Sequence, residues 1–234
     1  MNEEEIRLEA GAFEFIKKSR DFLISTYASH ATHIPVGRPI SLFMAGSPGA
    51  GKTEVSKSLT RKFESMPVRI DADEIRSECP GYQGNIAHVF QKAANKGVNI
   101  LYDHVLHERL NCILDGTFAY AGAIENIRRS LEHNRIVEVW FVYQDPLKAW
   151  EFTKVRETTE SRHVSKDVFV RAFFESRLNA KAVKSEFGAK IDLNLLVKDY
   201  ENGREEFKLN IDAEDLDRHI GRSYTEDELN KMLI

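Results

Sequence analysis

Apolar residues in the first thirty positions recur at helical spacing. Ala12, Phe13, Ile16, Leu23 and Tyr27 alternate with Glu, Lys and Arg, which predicts one amphipathic helix over residues 3–30. Residues 30–39 hold two prolines and a glycine and read as a loop. The run Ile40–Ala45 is short and apolar without alternation, as expected of a strand buried on both faces. Strand and helix patterns then alternate four more times, with strands expected at residues 67–70, 111–115, 135–143 and 191–198. Ile86, Val89, Phe90, Ala93, Ile100, Leu101 and Val105 trace one helical face carrying Gly97, and Ile124, Ile127 and Leu131 trace another. Phe169, Phe173, Phe174 and Leu178 read as core positions of a further helix. This alternation predicts an α/β fold with a parallel sheet and helices on both faces.

The C-terminal pattern differs. Asn202-Gly203 lies between residues 195–200 and 207–211, predicting a hairpin whose second arm is an antiparallel edge strand. Thr225 and Glu228 form a capping box, with Tyr224 and Leu229 as a hydrophobic staple, for a short terminal helix. Residues 1–37 are expected to be an N-terminal helix and linker, and residues 38–234 a single domain.

Composition narrows the class. Lys plus Arg number 33 against 37 Asp plus Glu, a net charge of −4 that demands no nucleic-acid partner. With 42% apolar and 30% charged residues, the chain is globular and not disordered. Cys79 and Cys112 stand in no metal-finger or CxxC spacing and read as reduced, buried thiols. The acidic N-terminus and the lack of an apolar run of about 18 residues predict a cytoplasmic protein with no membrane partner.

The chemistry concentrates at Gly46-Ser47-Pro48-Gly49-Ala50-Gly51-Lys52-Thr53, a GxxxxGK[ST] phosphate loop between a predicted strand and a predicted helix. Its glycines let main-chain N–H groups converge on phosphate oxygens at the positive end of the following helix. Lys52 is placed to reach the β and γ phosphates, and the Thr53 hydroxyl to ligate Mg²⁺. ATP and Mg²⁺ are the cofactors this loop implies.

Acceptor-side groups are sought at the carboxyl ends of the other strands. Asp71 and Asp73 follow the second strand in the segment Ile70-Asp71-Ala72-Asp73-Glu74-Ile75-Arg76. One of the two is expected to accept the proton of a substrate hydroxyl while the other orients it or supports Mg²⁺; helix capping is the alternative for either residue. Asp115-Gly116-Thr117 closes the third strand, with Asp115 placed to support the metal's water shell or hold the acceptor, and Gly116 to permit close approach. Cations come later, as Lys154, Arg156, Arg162 and His163. They lie on or after a helix beginning at Pro146, with Leu147, Trp150 and Val155 apolar, that is expected to break at residues 157–161 into a mobile lid. Guanidinium groups on such a lid would stabilise charge on a migrating phosphoryl group. His104 and His107, beside Asp103 and Glu108, read as a solvated helix face and not a metal site.

The order GSPGAGKT, IDADEIR, CPGY, LDGT and an arginine-bearing lid resembles the zeta toxin family of P-loop kinases over roughly residues 38–200. The resemblance implies a P-loop NTPase fold of the nucleoside-kinase-like type. It also implies an ATP-dependent kinase acting on a sugar hydroxyl of UDP-N-acetylglucosamine, and the toxin role in a toxin–antitoxin pair. It puts the Walker lysine and threonine at Lys52 and Thr53, the catalytic base at Asp73, and the lid arginines at Arg156 and Arg162. Asp71, Arg76, Asp115 and Thr117 then fall on the substrate side. Aspartate stands at position 115 where the best-known members carry glutamate, and Asn99 stands where a gapless comparison expects a carboxylate.

Three alternatives remain at this level. Another small-molecule phosphotransferase would act on a nucleoside, a nicotinamide dinucleotide or an antibiotic. A P-loop ATPase switch would use water as acceptor; no NKxD segment marks a GTPase. A pure interaction module would have no reason to keep Lys52, Thr53 and the arginines. Family toxins are held inactive by a helical antitoxin that obstructs the ATP site. Residues 1–30 are therefore either a tethered inhibitor or an ordinary packed helix, and Phe13, Ile16 and Leu23 favour packing.

Overall fold

The computed structural model describes residues 1–160, 163–200, 202–220 and 222–233. The chain runs α1 (Glu3–Lys18), α2 (Arg20–Tyr27), β1 (Ile40–Ala45), α3 (Lys52–Leu59), β2 (Val68–Asp71), α4 (Ala72–Ser77), α5 (Gln91–His107) and β3 (Cys112–Asp115). It continues through α6 (Ala123–Glu132), β4 (Ile136–Gln144), α7 (Pro146–Glu160), α8 (Lys166–Phe187), β5 (Asp192–Asp199), β6 (Arg204–Lys208), α9 (Ala213–His219) and α10 (Glu226–Met232). The six strands form one sheet in the order β2-β3-β1-β4-β5-β6. β1 to β5 pair in parallel and β6 is antiparallel to β5, the α/β arrangement the alternation predicts.

Period-two alternation within the strands divides the core into two layers. Leu42 and Met44 of β1 turn toward α3, where they join Val55, Ile113, Trp140, Val142 and Leu196. Phe43 and Ala45 face the larger layer, shared with α5, α8 and the N-terminal helices. Because the helical crossovers return each strand in the same direction, the carboxyl ends of β1 to β4 open on one edge of the sheet.

Several elements depart from expectation. The N-terminal helix is two helices broken at Ser19, whose hydroxyl donates to the Phe15 carbonyl at 2.7 Å, the local competition that bends helices. The apolar face survives the break, since Ala12, Ile16, Leu23 and Ala28 are all buried in the main core. The face beginning at Ile86 is carried first by a 3₁₀ segment, Gly84–Phe90, with non-helical dihedrals at Ile86, and only then by α5.

α7 does not break at Glu157 but continues through Glu160, with the Thr158 and Thr159 hydroxyls donating to the Val155 carbonyl of their own helix. Ser161 lies outside the described residues. On α8, Phe169 and Phe173 are buried, yet Leu178 is 61% exposed. The second hairpin arm is Arg204–Lys208 and not residues 207–211, because pairing resumes directly after the tight turn, with Asp199 opposite Arg204. The Thr225–Glu228 capping box forms, and Tyr224 and Leu229 are buried.

Candidate active site

The site is built outward from the turn after β1. Gly46 has φ +131°, and a Cβ there would lie 2.3 Å from the Val142 carbonyl oxygen; at Gly49, with φ +74°, it would lie 2.0 Å from that of Ala149. Only glycine fits this turn, both by dihedral and by space. Ser47 and Ala50 are buried, while Pro48, Gly49 and Gly51 face a cleft. The Gly46 N–H donates to the Thr117 carbonyl at 3.2 Å, tying the turn to the segment after β3. Lys52 opens α3 and folds back, its Nζ donating to the Ser47 carbonyl at 2.7 Å. The positive helix end and a lysine held over the turn make an anion-binding concavity.

The acidic groups stand at the ends of the two neighbouring strands. Asp71 lies opposite Asp115 in the β2–β3 register. One oxygen of Asp71 accepts from the Asp73 N–H at 2.8 Å, capping α4, and the other accepts from Arg69 Nη2 at 2.6 Å. Burial, followed by the charges of Asp73 and Asp115, pushes the Asp71 carboxyl up to about 6, against the pull of the Asp73 N–H and Arg69. Asp73 pairs with Arg76 Nη1 at 2.7 Å, and Arg76 Nη2 donates to Gln91 at 2.8 Å. Asp115 accepts from Ser56 Oγ at 2.6 Å and from Arg69 at 2.8 and 3.0 Å.

These groups meet in a cleft of about 1210 Å³ lined by Lys52, Thr53, Asp71, Asp73, Arg76, Asp115, Gly116, Thr117, Arg156 and His163. Arg162 lies outside the described residues. Lys154 turns instead to Glu157 and the Trp150 ring. Gly116 lines the cleft, and a Cβ there would meet no protein atom within 4 Å. Sequence reading passed over Arg69, Tyr82, Gln91 and Arg171, which also line the cleft. A signal existed for Arg69, a charged residue inside a strand of a sheet covered on both faces. No residue before Pro48 lines the cleft among those described, so residues 1–30 do not occupy it.

Away from the cleft, His104 is not solvated but buried, with its Nε2 unpartnered and its ring 6.0 Å from that of His30. Burial first, and then the charges of His30, Arg20 and His107, hold it below the usual histidine range, against the pull of Glu108. No group of three or more His, Cys, Asp or Glu placed to hold a metal occurs among the described residues. Both cysteines are free and buried.

Residues 25–207, most of the chain including this whole cleft, match the zeta toxin family. The chain belongs to the zeta toxin family. Its fold is similar to a solved structure of the PezAT chromosomal toxin–antitoxin system of the human pathogen Streptococcus pneumoniae, with TM-score 0.63 and 15% identity, covering 100% of this chain and 93% of that one. A crystal structure of AvrRxo1-ORF1:-ORF2 with ATP is similar at TM-score 0.62 and 13% identity, covering 92% of this chain and 71% of the other. No curated protein matches the chain in sequence. Among the described residues, no helix is long and apolar enough to cross a membrane.

Proposed function

We propose that the protein is an ATP-dependent phosphotransferase that moves the γ-phosphoryl group of ATP to a hydroxyl of a small molecule, with a nucleotide sugar such as UDP-N-acetylglucosamine as acceptor. The observation that carries this reading is that the phosphate turn with Lys52 and the Asp73–Arg76 pair face one cleft. A switch ATPase needs only a positioned water, whereas here a cleft of about 1210 Å³ extends beyond the turn and leaves space for an organic acceptor.

In this reading Gly46, Ser47, Pro48, Gly49, Ala50, Gly51, Lys52 and Thr53 hold the nucleotide phosphates. Asp73, oriented by Arg76, accepts the proton of the acceptor hydroxyl as that oxygen bonds to the γ-phosphorus. The bond from the γ-phosphorus to the bridging oxygen breaks, and the electron pair leaves with ADP. Lys52, Arg156 and Arg162 offset negative charge on the migrating group. Thr53 would be the side chain to hold Mg²⁺, which would neutralise phosphate charge. Thr117 and Asp71 face the acceptor end, while Asp115, engaged by Ser56 and Arg69, acts on its neighbours and not on the sugar.

A protein antitoxin is the proposed partner. Residues 1–30 pack in the core and are not that partner. The test is to incubate the purified protein with MgATP and a pool of nucleotide sugars, against MgATP alone, and follow ADP and new phosphorylated species. A phosphorylated sugar nucleotide made by the wild type and not by Lys52→Ala supports the proposal. Equal ADP release with and without the pool would assign water as acceptor and overturn it.

A further inference from the structure

Arg69 sits in the middle of β2, and the three carboxylates it reaches belong to three different elements. Its Nη2 donates to Asp71 Oδ2 at 2.6 Å and to Asp115 Oδ2 at 2.8 Å, its Nε to Asp115 at 3.0 Å, and it pairs with Glu74 of α4. The guanidinium is only 17% exposed, and the Asp115 side chain 4%. A partly buried cation that satisfies three carboxylates through a planar fork fixes their positions far more tightly than a point charge would.

Each carboxylate passes the constraint on. Asp71 holds Arg69 with one oxygen and the Asp73 main-chain N–H with the other, so the start of α4 is anchored through Asp71 to the guanidinium. Asp115 holds Arg69 and, at 2.6 Å, the hydroxyl of Ser56, one turn into the helix that Lys52 and Thr53 begin. Arg69 therefore joins the phosphate-binding helix to the helix bearing Asp73.

We infer that Arg69 is the positioning residue that sets where Asp73 stands relative to the phosphate turn, an inference that rests on the phosphotransferase reading for its kinetic part only. It touches neither reacting group. In-line transfer depends steeply on the separation of acceptor and phosphate, and misplacement by about 1 Å costs on the order of 10²-fold in rate. Without Arg69, Asp71 and Asp115 face each other across the register as buried like charges, and the cap on α4 loosens.

The test compares full-length wild type, Arg69→Met, Arg69→Lys, Asp73→Asn and Arg69→Met/Asp73→Asn. The first readout is amide hydrogen exchange at Asp73. Arg69→Met should exchange about 10-fold faster there, as loss of a cap hydrogen bond implies, while amides of β1 and β4 keep their protection. Arg69→Lys should fall between, keeping the charge without the fork.

The second readout is transfer from MgATP to UDP-N-acetylglucosamine as probe. Arg69→Met should lower kcat about 30-fold or more with KM for ATP within about threefold, and the double variant should be no slower than Asp73→Asn alone. Unchanged exchange at Asp73, or losses that multiply in the double variant, would overturn the inference. If the wild type transfers nothing to the probe, the acceptor assignment fails while the exchange result still decides the relay. Should Arg69→Met lose β1 protection as well, Arg69→Lys carries the same two readouts in a folded protein.

Discussion

On one wall of the cleft, a single contiguous turn, residues 46–51, is shaped by its glycine dihedrals and leads into α3. On the other wall, Arg69, Asp71, Asp73, Arg76, Gln91 and Asp115 come from β2, α4, α5 and β3 and are joined mainly by side-chain hydrogen bonds. The phosphate wall works through backbone geometry that has very few sequence solutions. The opposite wall, proposed to face the acceptor, is a charge network of paired side chains. A site made from backbone thus keeps its chemistry when acceptors change, and a site made from paired charges can be retuned one pair at a time.

The comparison breaks first at Asp73. Asp73→Asn should keep ATP affinity and lose phosphotransfer by about 10² or more, because it removes a proton acceptor from the charge wall and leaves the backbone wall intact. Isothermal titration with ATP beside a turnover assay checks this, and unchanged turnover would remove the base assignment.

Next comes the backbone wall. Gly49→Ala should lower stability by about 2 kcal/mol or more, since the residue must keep φ +74° with a Cβ only 2.0 Å from the Ala149 oxygen. ATP affinity should fall with it. A thermal melt within 1 °C of wild type would show that the turn relaxes without cost.

The charge wall also carries a pH signature. The Asp71 carboxyl titrates near about 6 in the folded protein against its ordinary value of 3.8, so the folded state holds the proton more tightly than the unfolded chain. The stability associated with that proton is fully present below about 4 and is lost as pH rises through about 6, on the order of 3 kcal/mol for a shift of this size. Asp71→Asn should remove this fall between pH 4 and 6.5 in denaturant titrations. A variant with the wild-type slope would deny Asp71 its place in the network.

The smallest effect lies outside the cleft and has the opposite sign. His104 is held below the usual histidine range, chiefly by burial, so the unfolded chain binds a proton that the folded protein resists. Stability should therefore fall as pH drops below about 6.5, the ordinary histidine value, and His104→Leu should flatten that fall.

The same contrast explains what the sequence discloses. The four later strands begin and end within one residue of expectation, three of them as mostly buried apolar runs and β2 as the short Val68-Arg69-Ile70-Asp71, whose buried positions are Val68 and Ile70. The phosphate turn is legible for the steric reasons given at Gly46 and Gly49. Arg69 was not, because its partners lie two, five and 46 positions away and only the parallel β2–β3 register brings them together.

Local competition hides the other departures. The N-terminal helix is interrupted at Ser19 although its apolar period runs on unbroken, and α7 continues through residues whose composition suggests a loop. Leu178 is apolar and correctly spaced but has nothing above it to bury against.

The most direct measurement of the central claim is mass-spectrometric comparison of metabolites from cells making the wild-type protein with those making Lys52→Ala. Accumulation of one phosphorylated small molecule, sugar nucleotide or related alcohol, in the first and not the second is the predicted result. Identical metabolite profiles, with both proteins folded and equally abundant, would contradict the account.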